Sequence, residues 1–165
     1  MKTIAICNHK GGVGKTALSM AIAEGLHRKG KRTLLVDLDQ QMNATQQAKI
    51  DTTDEVTVYD LLTSFDYTAK DGIKHFDGGD IIPGDVLVSN AESDMAKLDT
   101  RLTMLADAME GIDDDYDYAI IDCPPSLELL TVNALAAADS VLIPVQCEYY
   151  ALEGITDLMQ TIKLT

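Results

Sequence analysis

Apolar positions along the chain fall into two kinds of run. Thr3-Ile4-Ala5-Ile6-Cys7, Thr33-Leu34-Leu35-Val36, Tyr118-Ala119-Ile120-Ile121 and Ser140-Val141-Leu142-Ile143-Pro144-Val145 are short and almost continuously apolar. That is the pattern of strands covered on both faces of a parallel sheet. Asp80-Ile81-Ile82 reads as a further strand, closed by a turn at Pro83-Gly84. Between these runs the period lengthens. Leu18, Ile22 and Leu26 recur every four residues, predicting a helix over 15–29 that Gly30 stops. Leu102, Leu105, Ala106 and Met109 mark one face of a helix over 101–110. Further helices are expected over 89–98, over 127–138 with Ser126 as its cap, and at the end with Ile155, Leu158, Met159 and Ile162 on one face. Residues 44–79 say less: a helical turn over 58–62 and a short helix near 70–75, which leaves His75, like His27, on a solvent-facing helix.

Strand, helix and strand within the first 38 residues make a β-α-β unit with a right-handed crossover. The fold class expected is α/β, three layers, with a mainly parallel twisted sheet flanked by helices. A length of 165 residues fits one domain spanning 1–165.

The glycine-rich segment between the first strand and the first helix, Asn8-His9-Lys10-Gly11-Gly12-Val13-Gly14-Lys15-Thr16, changes the picture from fold to chemistry. Strand, glycine-rich turn and helix together form the setting of a phosphate-binding loop. Glycines let backbone N–H groups turn inward around phosphate oxygens, and the helix adds the positive end of its dipole. Lys15 supplies a cation for β- and γ-phosphates, and the Thr16 hydroxyl is placed for Mg²⁺. The generic pattern G-x-x-x-x-G-K-[ST] fails at its first position, where His9 stands, and a second lysine, Lys10, opens the loop.

Two further strand exits carry carboxylates. In a parallel sheet the C-terminal strand tips share one edge, where ligands bind. Asp37 and Asp39 leave the second strand there and can reach metal-bound or attacking water; as a structural alternative, Asp39 or Asn43 caps a short helix. Asp122 ends the strand at 118–122, the place of a carboxylate that accepts from Mg²⁺-bound waters. Residues 146–150 would lie at the same edge.

Charge narrows the partners. The net charge is −14, with ten Lys/Arg and ten Asp/Glu in residues 1–79 but three and seventeen in residues 80–165. A broad DNA-binding face is disfavoured in that acidic half, because phosphate contact relies on Lys and Arg. The cluster Arg28-Lys29-Gly30-Lys31-Arg32 reads as cations at a helix C-terminus. Asp113, Asp114, Asp115 and Asp117 invite a calcium-loop reading, but Tyr118 stands where such a loop demands glycine, so a solvated loop is expected. Cys7, Cys123 and Cys147 form no C-x-x-C pair and read as buried free thiols. No apolar run approaches the ~18 residues of a membrane span. With no secretory pattern at the N-terminus, a cytoplasmic protein without membrane attachment is expected.

Taken in order, several segments resemble the ParA/Soj family of partition ATPases within the MinD-like group of P-loop proteins. They are Lys10-Gly11-Gly12-Val13-Gly14-Lys15-Thr16, Val36-Asp37-Leu38-Asp39-Gln40-Gln41 with Asn43-Ala44-Thr45, Ile120-Ile121-Asp122-Cys123-Pro124-Pro125-Ser126, Asn133-Ala134-Leu135-Ala136-Ala137-Ala138-Asp139, and Pro144-Val145-Gln146 with Glu148-Tyr149-Tyr150-Ala151-Leu152-Glu153-Gly154. The resemblance implies an ATPase using ATP and Mg²⁺, slow and partner-stimulated, that forms a nucleotide-dependent homodimer and acts with a ParB-type adaptor in plasmid or chromosome partition. It implies a nucleotide cradle over Lys10, Gly11, Gly12, Val13, Gly14, Lys15, Thr16 and Ala17. Lys10 would be the signature lysine that reaches the partner's nucleotide, as an arginine finger does. Lys15 would hold phosphates in cis, and Asp39 would orient the attacking water. Thr16 would ligate Mg²⁺, with Asp37, Asp39 and Asp122 acting at the metal or through its waters.

Three departures set up an alternative. The family usually has Pro at the position of Gln40 and Gly at that of Met42, and its members are about half as long again, so that the C-terminal third is absent. These features fit a shortened nucleotide-binding regulator without efficient hydrolysis or DNA transport.

Overall fold

The computed structural model describes residues 1–146 and 151–164. Among the described residues six strands form one sheet: β1 (Lys2–Ile6), β2 (Thr33–Asp37), β3 (Lys74–Phe76), β4 (Gly79–Ile82), β5 (Tyr118–Asp122) and β6 (Ser140–Leu142). Their order is β3-β4-β2-β5-β1-β6, and every pairing is parallel except the β3–β4 hairpin. The α/β class with a mainly parallel sheet holds.

Side chains alternate between the two faces of the sheet and so build two cores. Ala5, Leu34, Val36, Ile82, Ala119 and Ile121 point to one face. There they meet α3 (Val58–Thr63), α5 (Val88–Met95), α6 (Met104–Met109), α7 (Leu129–Ala137) and Leu158 of α8 (Ala151–Leu164). Ile6, Leu35, Ile81 and Ile120 point to the other face, under α1 (Lys15–Arg28) and α2 (Asn43–Gln47). Helix α4 (Ala69–Gly72) is a single turn before β3.

Several expectations shift in detail. The helix near 70–75 ends at Gly72, and His75 lies on β3, where its Nδ1 is 2.9 Å from Asp80 Oδ1. The turn between Phe76 and Gly79 is only two residues long, so the chain closes a hairpin where a continued helix was expected. The buried face of α6 is Met104, Leu105, Ala108 and Met109, while Leu102 precedes the helix and is 48% exposed. On α1 the deepest positions are Lys15, Ser19, Met20 and Ala23; Leu18, Ile22 and Leu26 pack along the margin of that core. Ser126 does not cap α7. Its carbonyl instead accepts from Thr131 Oγ1 at 2.7 Å, and Asn133 holds α7 to the 101–105 segment through Arg101 O and Leu105 N–H. The acidic run is an exposed loop, tied to the basic cluster where Arg32 meets Asp117 at 3.2 Å. Among the described residues no helix is long and apolar enough to cross a membrane.

Candidate functional site

The C-terminal tips of β1, β2 and β5 lie side by side, with Ile6, Asp37 and Asp122 in one register. The glycine-rich segment leaves β1 at this edge. Gly12 and Gly14 take positive φ, +71° and +89°, where a side chain would be strained, and Gly14 opens α1 directly. Asn8 braces the start of the loop: its Nδ2 donates to Pro144 O at 2.7 Å, and its Oδ1 accepts from Lys10 N–H at 2.9 Å. Gly11, Gly12, Gly14 and Ala17 are exposed, and Val13 and Thr16 half-buried. An open rim of backbone at a helix N-terminus is suited to an anion.

The two lysines part company. Lys15 is buried, with its Nζ 3.5 Å from Lys10 O inside the curve of the loop. Lys10 is exposed, and its Nζ donates to Gln146 Oε1 at 3.1 Å. Gln146 therefore stands at the ligand edge; residues 147–150, Cys147 included, lie outside the described residues.

Behind the loop, Asp122 is fully buried. Ser19 Oγ donates to its Oδ1 at 2.9 Å, while Oδ2 is the one buried side-chain polar atom without a hydrogen-bond partner among the described residues. Burial pushes the Asp122 carboxyl up to about 6; the Thr16 hydroxyl pulls against that rise, and the negative charges of Asp37 and Asp39 add to it. A buried carboxylate oxygen left unsatisfied is what an incoming cation or its water would complete. Thr16 and Asp122 therefore fit a magnesium ion.

Asp37 is buried as deeply but is fully engaged. Its Oδ2 accepts from Thr45 N–H at 2.9 Å and Thr45 Oγ1 at 2.7 Å, and its Oδ1 from Asp39 N–H at 3.2 Å. Thr45 Oγ1 in turn accepts from Gly84 N–H at 2.8 Å. Burial raises the Asp37 carboxyl, and these hydrogen bonds oppose the rise. Neither Asp39 nor Asn43 caps α2: residue Met42 occupies the cap position without a side-chain bond, and Asp37 takes the first-turn N–H from across the loop. Asp39 keeps 8% exposure, with Oδ1 accepting from Gln41 N–H at 3.0 Å. Met42 adopts φ +53°, a left-handed conformation that favours glycine.

Ser19 and Thr45 had no role assigned from sequence. Ser19 follows Lys15 by one turn on the buried stripe of α1, and a serine among apolar positions was the available signal. One residue beyond the Ile6–Asp122 pair, the Cys7 and Cys123 thiols touch, and burial, the Cys7 thiol and the nearby Asp122 raise Cys123 well above its ordinary value.

The whole chain, residues 1–165, matches the family model described as an AAA domain. The sporulation initiation inhibitor protein Soj of Bacillus subtilis is 49% identical over 99% of this chain and 65% of its own length. The chain belongs to the ParA/Soj family of AAA-domain P-loop proteins. Cobyrinic acid a,c-diamide synthase from Mycobacterium smegmatis, solved with bound ADP and magnesium, superposes with a TM-score of 0.93 at 36% identity, over 99% of this chain and 67% of that one. A putative plasmid partition protein from Borrelia burgdorferi bound to AMPPNP gives 0.85 at 28% identity, over 99% and 70%. These neighbours share the fold of this chain, and both are bound to a nucleotide. The chain spans about 65% of the length of the Soj protein it matches.

Proposed function

We propose that this chain is an ATP- and Mg²⁺-binding ParA-type ATPase domain that dimerises around nucleotide and serves the partition of plasmid, chromosomal or mobile DNA. The observation that carries the reading is the Asp122 Oδ2 atom, buried and unpartnered beside Thr16 and behind the Lys15 loop. Lys15 and the backbone from Gly11 to Ala17 would hold the phosphates. Thr16 and Asp122 would hold Mg²⁺, which when bound neutralises phosphate charge. Asp39, at the rim of the same edge, would orient the attacking water. Asp37 would serve by fixing Asp39 and α2, since its own oxygens are occupied. Lys10, displayed on the surface, would act on the partner's nucleotide. The bound ADP–magnesium and AMPPNP of the two structural neighbours support the ligand class. A ParB-type adaptor is the expected stimulating partner, and a cytoplasmic location follows from that role.

Size-exclusion chromatography and phosphate release test this together. Wild-type protein should dimerise with ATP–Mg²⁺ and release phosphate; Lys15→Ala should lose nucleotide binding; Lys10→Ala should keep binding yet lose both dimer and turnover. A wild-type chain that binds nucleotide and stays monomeric would sink the nucleotide-dependent dimer.

The left-handed Met42 favours one competing reading, a nucleotide-binding regulator with little hydrolysis, because strain after Asp39 bears on water placement. Steady phosphate release that vanishes in Asp39→Ala excludes it.

A further inference from the structure

Cys7 and Cys123 follow β1 and β5 one position beyond the Ile6–Asp122 pair, on neighbouring parallel strands. Each is 1% exposed, each is a free thiol, and their sulfurs are 3.0 Å apart. Backbone bonds hold both in place: Cys7 N–H donates to Leu142 O at 3.1 Å and Cys123 N–H to Ile6 O at 3.3 Å. Adjacent strands lie about 4.8 Å apart, inside the Cα separation of about 4.4–6.8 Å that a disulfide spans. Bonding would require the sulfurs to close by about 1 Å, with neither strand leaving the sheet. The nucleotide chemistry proposed above uses neither sulfur. We propose that Cys7 and Cys123 form a reversible intramolecular disulfide, a redox modification site at the root of the nucleotide loop.

A hydroperoxide is the class of oxidant that balances the step. One sulfur attacks a peroxide oxygen, the O–O bond breaks, and with hydrogen peroxide a sulfenic acid and one water result. The second sulfur then attacks the sulfenic sulfur; the S–S bond forms, the S–O bond breaks, and the hydroxyl leaves as a second water with the remaining thiol proton. The two thiols give up two electrons and two protons, and the peroxide takes both. Burial makes the reaction slow in the closed protein and dependent on opening of the loop above the sulfurs.

The consequence for the site follows from what adjoins each cysteine. Asn8, next to Cys7, holds both Pro144 O and Lys10 N–H, and Asp122 precedes Cys123. Drawing the sulfurs together shifts both sides of the cradle. On the nucleotide-binding reading above, on which this part rests, the oxidised protein loses affinity for ATP–Mg²⁺.

The test uses the full chain carrying Cys147→Ser, which leaves two of the three cysteines. The protein is treated with hydrogen peroxide, unfolded in acid and alkylated without reduction. The expected product is monomeric, lighter by two hydrogen atoms, closed to alkylation at both cysteines, and restored by dithiothreitol. Its tryptic map joins the peptide holding Cys7 to the one holding Cys123. Adding Cys7→Ser should remove the link; should that variant not fold, the peptide map alone decides. Cysteines that stay fully alkylatable, over-oxidation without a link, or only intermolecular dimers would overturn the proposal. Melting scans with ATP–Mg²⁺ test the coupling. A shift present in reduced protein and lost on oxidation supports it, and an unchanged shift in linked protein refutes it. If reduced protein shows no shift, the nucleotide reading fails while the mass result still decides the disulfide.

Discussion

Asp37 and Asp122 are partners in the β2–β5 register, at the strand tips that face the ligand edge, and both are fully buried. Chemically identical, they are used in opposite ways. Around Asp37 the chain supplies every acceptor with a donor: two from Thr45, one from Asp39, and a further bond from Gly84 to the Thr45 hydroxyl. Around Asp122 it supplies the Ser19 hydroxyl to Oδ1 and brings the Thr16 hydroxyl to the carboxylate, yet leaves Oδ2 without a hydrogen-bond partner among the described residues. A buried polar atom without a partner is destabilising in isolation, whereas a satisfied network fixes geometry. The contrast separates a carboxylate that holds the protein together from one held ready for a ligand, a distinction that strand-end position alone could not draw.

The sharpest way to break the comparison is to remove the two carboxylates separately. Asp37→Ala orphans two buried backbone N–H groups and the Thr45 hydroxyl, and should destabilise the ligand-free protein by about 3 kcal/mol or more in urea unfolding. Asp122→Asn should move stability the other way. With a folded value of about 6 against 3.8 for the ordinary carboxyl, the charged form carries a burial penalty that is full above the higher value and absent below the lower one. The asparagine variant should thus be more stable than wild type by about 1–2 kcal/mol at pH 8, part of the gain being offset by its own unpaired amide N–H. That advantage should shrink as pH falls through 6 towards 4. A wild-type protein that gains on the variant as pH falls agrees with this sign; a constant gap does not.

Thr45 sharpens the comparison from the side of Asp37. Thr45→Val keeps the shape and the backbone N–H but loses the hydroxyl that bridges Asp37 and Gly84, and should cost about 1–2 kcal/mol, while Thr45→Ser should restore most of it. The smallest effect is expected at Met42. Relieving a left-handed methionine costs backbone entropy in return, so Met42→Gly should stabilise by about 0.5 kcal/mol in the same unfolding measurement.

Much of this was legible in the sequence because it is local. The loop from Lys10 to Thr16, the strand ends at Asp37 and Asp122, and the apolar strands each announce themselves within a few residues. What was not legible depends on partners brought together by the fold. Ser19 meets Asp122 across 103 positions and Gly84 meets Thr45 across 39, so no local pattern marks them. Strand β3 escaped because Lys74-His75-Phe76 is too short to show alternation and is defined by its hairpin with β4. Leu102 was placed on a core face because its spacing fits the period, yet the helix starts two residues later. A separation of 116 positions hid the Cys7–Cys123 contact, which needs β1 beside β5 to exist.

The most direct measurement of the central claim, that Asp122 and the glycine-rich loop make one magnesium–nucleotide site, is calorimetric titration of ATP with and without Mg²⁺ into wild type and Asp122→Asn. Wild-type protein should bind ATP more tightly when Mg²⁺ is present, and the variant should retain binding through Lys15 but lose the gain from Mg²⁺. A wild-type chain that gives no heat with any nucleotide, or a variant whose gain from Mg²⁺ equals that of wild type, would contradict the account.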